Sequence, residues 1–279
     1  MAFRFTLIAT LLFAATPAFA QDVAPQSAPV DRNSLTLGIG GGISTEFDGA
    51  SDYRFQPGGL IRGEVDGFEF TARGTNLYFD LLRDQAGAKV NLIAGPLVQL
   101  RLERTGKISD PRIAAFGKRK AAFEVGGNVG IGANRILNPY DSLSFEVSIV
   151  HDVTGVHDSY IVSPGIAYVT PLSRSSIARL GVSADYVGSG YGRTYFDVPI
   201  TTGTAPALAP YATDGSGFKS IGSTLLLVKA LESNPRKGWS LFALTGYSRL
   251  LGQYAASPIV KDAGKTDQFL GVAGISYTF

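Results

Sequence analysis

The last thirteen residues of the chain, 267–279, alternate between two kinds of side chain up to the final residue. Phe269, Ile275, Tyr277 and Phe279 fall on one face, and the residues between them are smaller and more polar. Because side chains in a β-strand alternate with a period of two, the pattern predicts a strand with one apolar face and aromatic residues near both ends. Such a face suits a bilayer, whose interfaces favour tyrosine and tryptophan.

This strand also resembles the C-terminal signal by which outer-membrane barrel proteins are recognised for assembly. That signal is a final aromatic residue preceded by alternating hydrophobic residues. The resemblance implies insertion by the barrel-assembly machinery into the outer membrane of a Gram-negative bacterium, with its lipid as a partner. The residues assigned to the assembly signal are Phe269, Gly271, Ile275, Tyr277 and Phe279.

The start of the chain has the features of a secretory signal peptide, predicted over residues 1–20. Arg4 gives it a positive start, residues 7–15 are apolar, and Ala18-Phe19-Ala20 is a small-x-small cleavage site. Residues 21–33 are rich in Pro, Ala and Gln without periodicity, which predicts a flexible periplasmic leader. Residues 34–279 are predicted to form the barrel.

Composition excludes several classes of protein. The chain has no cysteine, so disulfides do not hold it together after export. Its formal net charge of +2 is spread along the sequence, which argues against a nucleic-acid partner. No stretch after the signal has the roughly 20 apolar residues of a helical span. Membrane insertion would therefore require a closed barrel, since hydrocarbon leaves no sheet edge unpaired.

Strand-like runs recur along the whole chain, as in an all-β protein. Eleven runs are identifiable, but bacterial single-chain barrels have even strand numbers, so we predict an antiparallel up-and-down barrel of twelve strands, with ten as the fallback. The missing strand is placed first at residues 191–198 and second at 76–82. The eleven runs are 35–43, 55–65, 68–75, 90–103, 121–133, 141–151, 160–170, 177–186, 218–231, 237–250 and 267–279.

The polar faces of these runs carry charges of both signs in mid-strand. A soluble β-sandwich would also alternate, with its polar face in water. In a membrane barrel the same charges would line a polar lumen while the apolar face meets lipid, and the export signal and terminal strand favour this arrangement. The predicted lumen charges are Arg62, Glu64, Glu69, Arg73, Arg101, Glu103, Glu124, Glu146, Arg179 and Asp185.

In order along the chain, several segments resemble the MipA/OmpV family of outer-membrane proteins. The likeness begins at 35–42 (LTLGIGGG) and 47–54 (FDGASDYR), although Phe47 and Ala50 depart from the family's Tyr and Ser at those positions. It covers nearly all of the chain after the signal. The remaining matching segments are 95–101, 124–127, 155–158, 191–198, 257–260 and the final strand.

The resemblance implies a non-enzymatic scaffold or adaptor. The family is named for a member that binds a membrane-bound lytic transglycosylase and a bifunctional penicillin-binding protein, which couples murein cleavage to synthesis. No motif maps that role onto particular residues. The alternative from the residues themselves is a small-solute or ion channel, because a twelve-strand barrel is of intermediate width and its inward side chains decide whether it conducts.

The chain contains little that suggests catalysis. Its two histidines occur in His151-Asp-Val-Thr-Gly-Val-His-Asp158, which could be a metal site, a hydrolytic Asp-His pair, or simply a polar hairpin loop; we favour the loop. The glycines of 38–42 lack the Lys-Ser/Thr of a phosphate loop, and there is no G-x-S-x-G nucleophile elbow. We therefore predict no enzyme activity, no cofactor and no bound metal.

Overall fold

A computed structural model describes residues 33–83, 87–200, 208–232 and 237–279. Over these residues the chain forms one closed barrel of twelve antiparallel strands, as predicted. The strands are β1 (Asn33–Thr45), β2 (Tyr53–Val65), β3 (Phe68–Arg73), β4 (Asn76–Asp80), β5 (Val90–Arg101), β6 (Ala122–Asn134), β7 (Ser142–Asp152), β8 (Tyr160–Ser173), β9 (Ser176–Val187), β10 (Gly217–Ala230), β11 (Gly238–Leu250) and β12 (Asp267–Thr278). The short helices are α1 (Pro111–Ala114), α2 (Ser189–Tyr195), α3 (Gly252–Ala256) and α4 (Pro258–Lys261).

Within the described ranges, no helix is both long enough and apolar enough to cross a membrane. The predicted signal peptide and most of the predicted leader lie outside the described residues. β1 begins at Asn33, which is one residue before the predicted start of the barrel.

The barrel closes between its first and last strands. Thr36 of β1 lies opposite Thr278 of β12, and the pairing runs to Ser44 opposite Leu270. The hydroxyls of Thr36 and Thr278 are 2.8 Å apart across this seam. Every strand therefore has a neighbour on both sides, as a barrel in hydrocarbon requires.

The two ends of the barrel differ in the length of their connections. The end where β1 begins and β12 ends has short turns, such as 66–67 and 174–175, whereas the opposite end has the long connections 102–121, 188–216 and 251–266. Because outer-membrane barrels have short periplasmic turns and longer extracellular loops, the end where β1 begins is the periplasmic one.

The two faces of β12 are divided as the sequence predicts. Phe269, Ile275 and Phe279 are exposed on the outside of the barrel, while Gln268 and Ser276 are buried inside. Aromatic pairs mark both ends of this outer face. Trp239 packs edge-on against Tyr277, with ring centroids 5.0 Å apart near the periplasmic end, and Tyr247 lies 5.2 Å from Phe269 near the other end. These pairs correspond to the aromatic girdles of a membrane barrel.

The twelfth strand is β4, the second of the two places predicted for it. The first choice, residues 191–198, is wrong, because most of that segment forms the end of α2 and folds into the barrel mouth. Tyr191 and Tyr195 are four residues apart, so they share one face of a helical turn, and both are buried. Burial of these two rings overrides the β-propensity of the segment.

Prolines mark the places where the strand ladders are interrupted. Proline cannot donate to a ladder and is confined to edges and bulges. Pro57 lies in the part of β2 that has no β3 partner, and Pro96 lies just beyond the last β5 residue paired with β4. Pro164 falls where the pairing of β8 with β9 skips two residues, and Pro171 lies at a register shift between the same strands.

The wall of the barrel is lower at one place. β3 has 6 residues and β4 has 5, whereas about 9–11 are needed to cross a bilayer. The last residue of β3 to pair with β2 is Arg73, which lies opposite Leu60. Leu60 lies opposite Gly38, near the middle of β1, so the β3–β4 hairpin reaches only about half the height of β1. Residues 53–59 of β2 therefore extend above the hairpin and pair only with β1.

Candidate functional site

Four extracellular connections fold over and into the barrel mouth, and we call them the plug: residues 46–52, 102–121, 188–200 and 251–266. Its deepest part is α2, which turns inward directly after β9. Gly190 permits this entry, since a Cβ at that position would collide with the carbonyl oxygen of His157. Tyr191 and Phe196 are completely buried as a result. The plug thus places an aromatic helix inside the wall of strands.

Tyr191 lies at the centre of a buried polar network. Its hydroxyl is 3.3 Å from Arg101 Nη1 and 3.4 Å from Asp48 Oδ2. The Arg101 guanidinium and the Lys219 ammonium also lie over its ring, 5.1 and 5.4 Å from the centroid. One side chain of α2 therefore connects β5, β10 and the loop that follows β1.

Lys219 forms the second part of the network. Its Nζ lies 2.5 Å from Asp48 Oδ2 and 3.2 Å from Asp185 Oδ2, and the other Asp185 oxygen accepts a hydrogen bond from Ser163 at 2.7 Å. A break in the register of β10 between Phe218 and Ser220 leaves Lys219 as an extra residue. Such a bulge re-aims a side chain, and here it turns the lysine inward.

Arg101 joins the third part of the network to Tyr191. Its Nε and Nη2 donate to the two carboxylate oxygens of Glu124, at 2.5 and 3.1 Å, which is the strong two-pronged geometry of a guanidinium with a carboxylate. Nε2 of His157 lies 2.8 Å from the same Glu124 carboxylate. Since His157 belongs to the loop after β7, this part connects another extracellular loop to the wall.

Two apolar clusters cover the network. The inner cluster packs strand ends against the plug, and the outer cluster consists of loop residues alone. The inner cluster is Leu97, Val150, Ile161, Val187, Tyr191, Tyr195, Phe196, Leu250, Tyr254 and Val260. The outer cluster is Phe47, Ala50, Ile113, Val198, Leu208, Ile259 and Ala263.

Two charged residues just above β5 have shifted ionisation. Burial, together with the neighbouring Asp48 carboxylate, raises the pKa of Glu103 from 4.5 to about 7. Glu103 accepts a hydrogen bond from the backbone N–H of Asp48 at 2.6 Å. Burial and the nearby Arg119 lower the pKa of Arg104 to about 10. Both arginines donate to the carbonyl of Thr194, Arg104 at 2.9 Å and Arg119 at 3.0 Å, which holds the end of α2.

The predicted lumen charges lie at different levels of the barrel, between its extracellular and periplasmic ends. Arg101, Glu124 and Asp185 belong to the buried network under the plug, as described above. Glu103 lies there as well, but in the loop after β5 rather than in the strand predicted to run to it. Nearer the periplasmic end, Arg62 pairs with Glu69 at 3.3 Å, and both are partly exposed. The others are Glu64 on β2, Glu146 on β7, Arg179 buried on β9, and Arg73, whose side chain is outside the described residues.

The two histidines do not form one site. His151 is exposed in β7, and His157 is buried against Glu124, Tyr191 and Tyr195. Asp152 accepts hydrogen bonds from the backbone N–H groups of Thr154, His157 and Asp158, at 2.7–3.1 Å, and thereby shapes the loop. Among the described residues, no three His, Cys, Asp or Glu side chains are grouped to hold a metal ion.

The sequence did not identify Asp48, Tyr191 or Lys219 as site residues. Asp48 lies in a turn-like loop, and strict alternation from Ser220 would place Lys219 on the lipid face. The sequence offers one indication of this role. Lys219 directly follows Phe218, at a position that the alternation would assign to the lipid face, where a charge is unusual. The arrangement can bind the loops to the wall through ion pairs, and it joins opposite sides of the lumen.

A family model described as MltA-interacting protein MipA matches residues 37–279. No curated protein matches the chain. Among solved structures, the chain is similar to the COG4313 outer membrane channel from Pseudomonas putida F1, with 13% identity, a TM-score of 0.44, and coverage of 92% of this chain and 100% of that one. It is also similar to a loop L8 deletion mutant of OmpT from Vibrio cholerae, with 8% identity, a TM-score of 0.39, and coverage of 89% and 100%.

Proposed function

Because this chain belongs to the family of the MltA-interacting protein MipA, we propose that it is a non-conducting outer-membrane scaffold. In this role it holds a murein-cleaving lytic transglycosylase and a murein-synthesising penicillin-binding protein at the inner surface of the outer membrane. It performs no catalysis itself.

The closed plug is the observation that carries the non-conducting part of this proposal. A channel needs a continuous polar path through the barrel. Here Lys219, Asp48 and Tyr191 connect opposite walls, and two apolar clusters lie over them. Opening a path would require separating these buried ion pairs and the apolar contacts around them at the same time. A scaffold needs no such path, and a rigid barrel would hold its partners in a fixed position.

Among the described residues, a partner in the periplasm can reach the short turns, and one of these turns is both apolar and held rigidly. In the turn between β6 and β7, Leu137 is 79% exposed and Tyr140 is 65% exposed. The Asp141 carboxylate fixes this turn by accepting hydrogen bonds from the backbone N–H groups of Ile136 and Leu137, at 2.7 and 2.9 Å, and from the Tyr168 hydroxyl at 2.8 Å.

The ionisation of Asp141 agrees with this role. Burial alone would raise the pKa of its carboxyl, but the hydrogen bonds from Tyr168 and from the backbone hold it below the usual value. Asn138 also donates to Thr170 at 3.0 Å, so the turn rests on the outer side of β8 at the periplasmic rim. A partner docked on Leu137 and Tyr140 would therefore lie flat against the membrane surface.

Capture of purified partners by the purified barrel tests the scaffold. We expect the wild type to retain a lytic transglycosylase and a penicillin-binding protein, and the double variant Leu137→Glu, Tyr140→Ala to retain several-fold less of at least one. Leu172→Glu is the matched control, because Leu172 is also an exposed leucine at the periplasmic end. Failure of the wild type to retain either enzyme would contradict the proposal.

Planar-bilayer recordings separate the scaffold from the channel. We expect no conductance steps from the wild-type protein. Regular steps under the same conditions would favour the small-solute or ion channel instead.

A further inference from the structure

One side of the lumen below the plug is apolar, although the interior of a membrane barrel is usually polar. Five neighbouring strands, β10, β11, β12, β1 and β2, form this side, and we call it the apolar wall. Within the described residues, its inner face carries no charged side chain between the levels of Arg54 and Arg62. The large side chains of the apolar wall are all partly exposed; they are Leu60, Leu226, Val228, Phe242, Leu244 and Val272.

The strand register arranges the apolar wall in rows. The upper row is Leu226, Leu244 and Val272, and the row nearer the periplasm is Val228, Phe242, Gly274, Gly40 and Gly58. The ring of Phe242 lies against Gly40 and Gly274, and a Cβ at Gly58 would meet no atom within 4 Å. The middle of the wall is therefore smooth, and it borders open space at Gly58.

The exposure of the inward-facing residues shows where the lumen is open. In the row just above the apolar wall, Thr224, Leu270 and Ser44 are 7%, 6% and 0% exposed, so the lumen is filled at that level. Further down, partial exposure continues to the ion pair of Arg62 and Glu69, whose side chains are 27% and 25% exposed. The space in front of the wall is thus closed towards the outside of the cell and open towards the periplasm, and we call it the lower chamber.

The two sides of the lower chamber differ in polarity. The apolar wall is unfavourable against water, because the removal of apolar surface from water is the main favourable term in folding and binding. The inner faces of β5 to β7 are polar and carry Asn91, Asn128 and Glu146. An occupant that is apolar on one side and forms hydrogen bonds elsewhere would fit both sides.

Hydroxyl groups replace apolar side chains at the periplasmic end of the wall. Ser240 lies opposite Ser276, and one row lower the hydroxyls of Thr36 and Thr278 are 2.8 Å apart. These groups can both donate and accept hydrogen bonds, and they carry no charge. They therefore suit an uncharged polar end that lies beside an apolar body.

We propose that the lower chamber binds a small uncharged amphiphile that enters from the periplasm. Its apolar body lies against Phe242 and Leu244, and its hydrogen-bonding end lies towards Thr36 and Thr278. The two apolar rows and the first hydroxyl row span residues 226–230 of β10, or about 13 Å along the strand at about 3.3 Å per residue. The ligand is thus a short molecule. This site is separate from the scaffold function and does not depend on it.

Photolabelling of the full chain in phosphatidylcholine vesicles tests the site. The probe is an octanol that carries a diazirine, and peptide mass spectrometry locates its adducts. Phe242 faces the chamber and its neighbour Leu241 faces lipid, so one strand contains both the test and the control. We expect adducts at Phe242 that saturate and that excess unlabelled octanol removes, and adducts at Leu241 that rise in proportion to the probe. Lack of saturable adducts at Phe242 would overturn the proposal, and so would the same saturation at Leu241.

Two neighbouring glycines give a matched pair of variants. Gly58→Phe fills the open space of the chamber and should abolish the saturable adducts. Gly59→Phe puts the same ring on the outer face, where the nearest atom to a new Cβ is 3.6 Å away, and should leave them unchanged. If Gly58→Phe does not fold, Val228→Thr adds a hydroxyl to the wall with little change of shape and should raise the half-saturating probe concentration several-fold. Wild-type labelling in whichever of these two variants folds would overturn the proposal.

Competition identifies the polar end of the ligand. Octanol should displace the probe at several-fold lower concentration than octanoate or octylamine, because the groups beside the apolar wall are hydroxyls rather than charges. Equal or better displacement by octanoate or by octylamine would mean that the chamber prefers a charged amphiphile, and it would overturn the uncharged assignment.

Discussion

Nζ of Lys219 lies 2.5 Å from a carboxylate oxygen of Asp48, and this ion pair joins strand β10 to the loop after β1. Both side chains are almost completely buried, with exposures of 2% and 3%. The pair is therefore one of the contacts that keep the plug in the barrel mouth.

Replacing Lys219 tests how much this contact contributes. Lys219→Met leaves the carboxylates of Asp48 and Asp185 buried without their cation, which should destabilise the folded barrel by about 3–5 kcal/mol. We expect a lower urea midpoint and the appearance of conductance steps. Lys229→Met is the control, because Lys229 is exposed on the same strand. If both variants behave like the wild type, Lys219 does not hold the plug.

Gly190→Ala tests the entry of α2 into the barrel. The new Cβ would collide with the carbonyl oxygen of His157, and overpacking of this kind costs about 1–3 kcal/mol. We expect the barrel to remain folded while the plug becomes accessible to protease and the conductance becomes noisy. Gly58→Ala adds the same methyl group where it meets no neighbouring atom within 4 Å, so it should have no effect. Equal protease resistance in the two variants would refute the role of Gly190.

The raised pKa of Glu103 predicts that the plug is less stable at alkaline pH. The carboxyl holds its proton up to about pH 7 in the closed state, but only to about 4.5 once it is exposed to water. The closed state therefore binds more protons between these values, and its stability falls as the pH rises through that range. We expect the urea midpoint of the folded barrel to be lower above pH 7 than near pH 4.5.

Glu103→Gln is the matched variant for this pH effect. The amide stays neutral at every pH and keeps an oxygen that can accept from the backbone N–H of Asp48. The variant should lose the difference between acid and alkaline conditions. If it keeps that difference, another group is responsible.

Deleting Phe279 tests the assembly signal. Its backbone N–H donates to the carbonyl of Leu35 at 2.9 Å, and its ring packs 4.8 Å from Tyr277. We expect the deletion to reduce the amount of folded, heat-modifiable protein in the outer membrane more strongly than Phe279→Tyr, which keeps an aromatic ring. Normal levels of folded protein from the deleted chain would show that the final residue is not needed for recognition.

The sequence predicted what depends on local alternation. The faces of β12 follow from a period of two, and the number of strands follows from the eleven identifiable runs and the even strand number of bacterial barrels. α2 and Lys219 were not predictable in this way. Tyr191 and Tyr195 are equally suited to a strand or a helix until the lumen that buries them exists, and the bulge at Lys219 depends on pairing with β9. The plug is determined by contacts between residues far apart in sequence, such as Asp48 and Lys219.

The seam between β1 and β12 also determines when the barrel can be completed. Its two strands come from opposite ends of the described chain. Until β12 is present, the edge of β1 and the edge of β11 have no strand to pair with. The glycines at the seam are close-packed: Phe242 lies against both Gly40 and Gly274, which leaves no room for side chains there. The barrel therefore cannot close until β12 is in place, and a chain that lacks it has two unpaired strand edges that can pair with other chains.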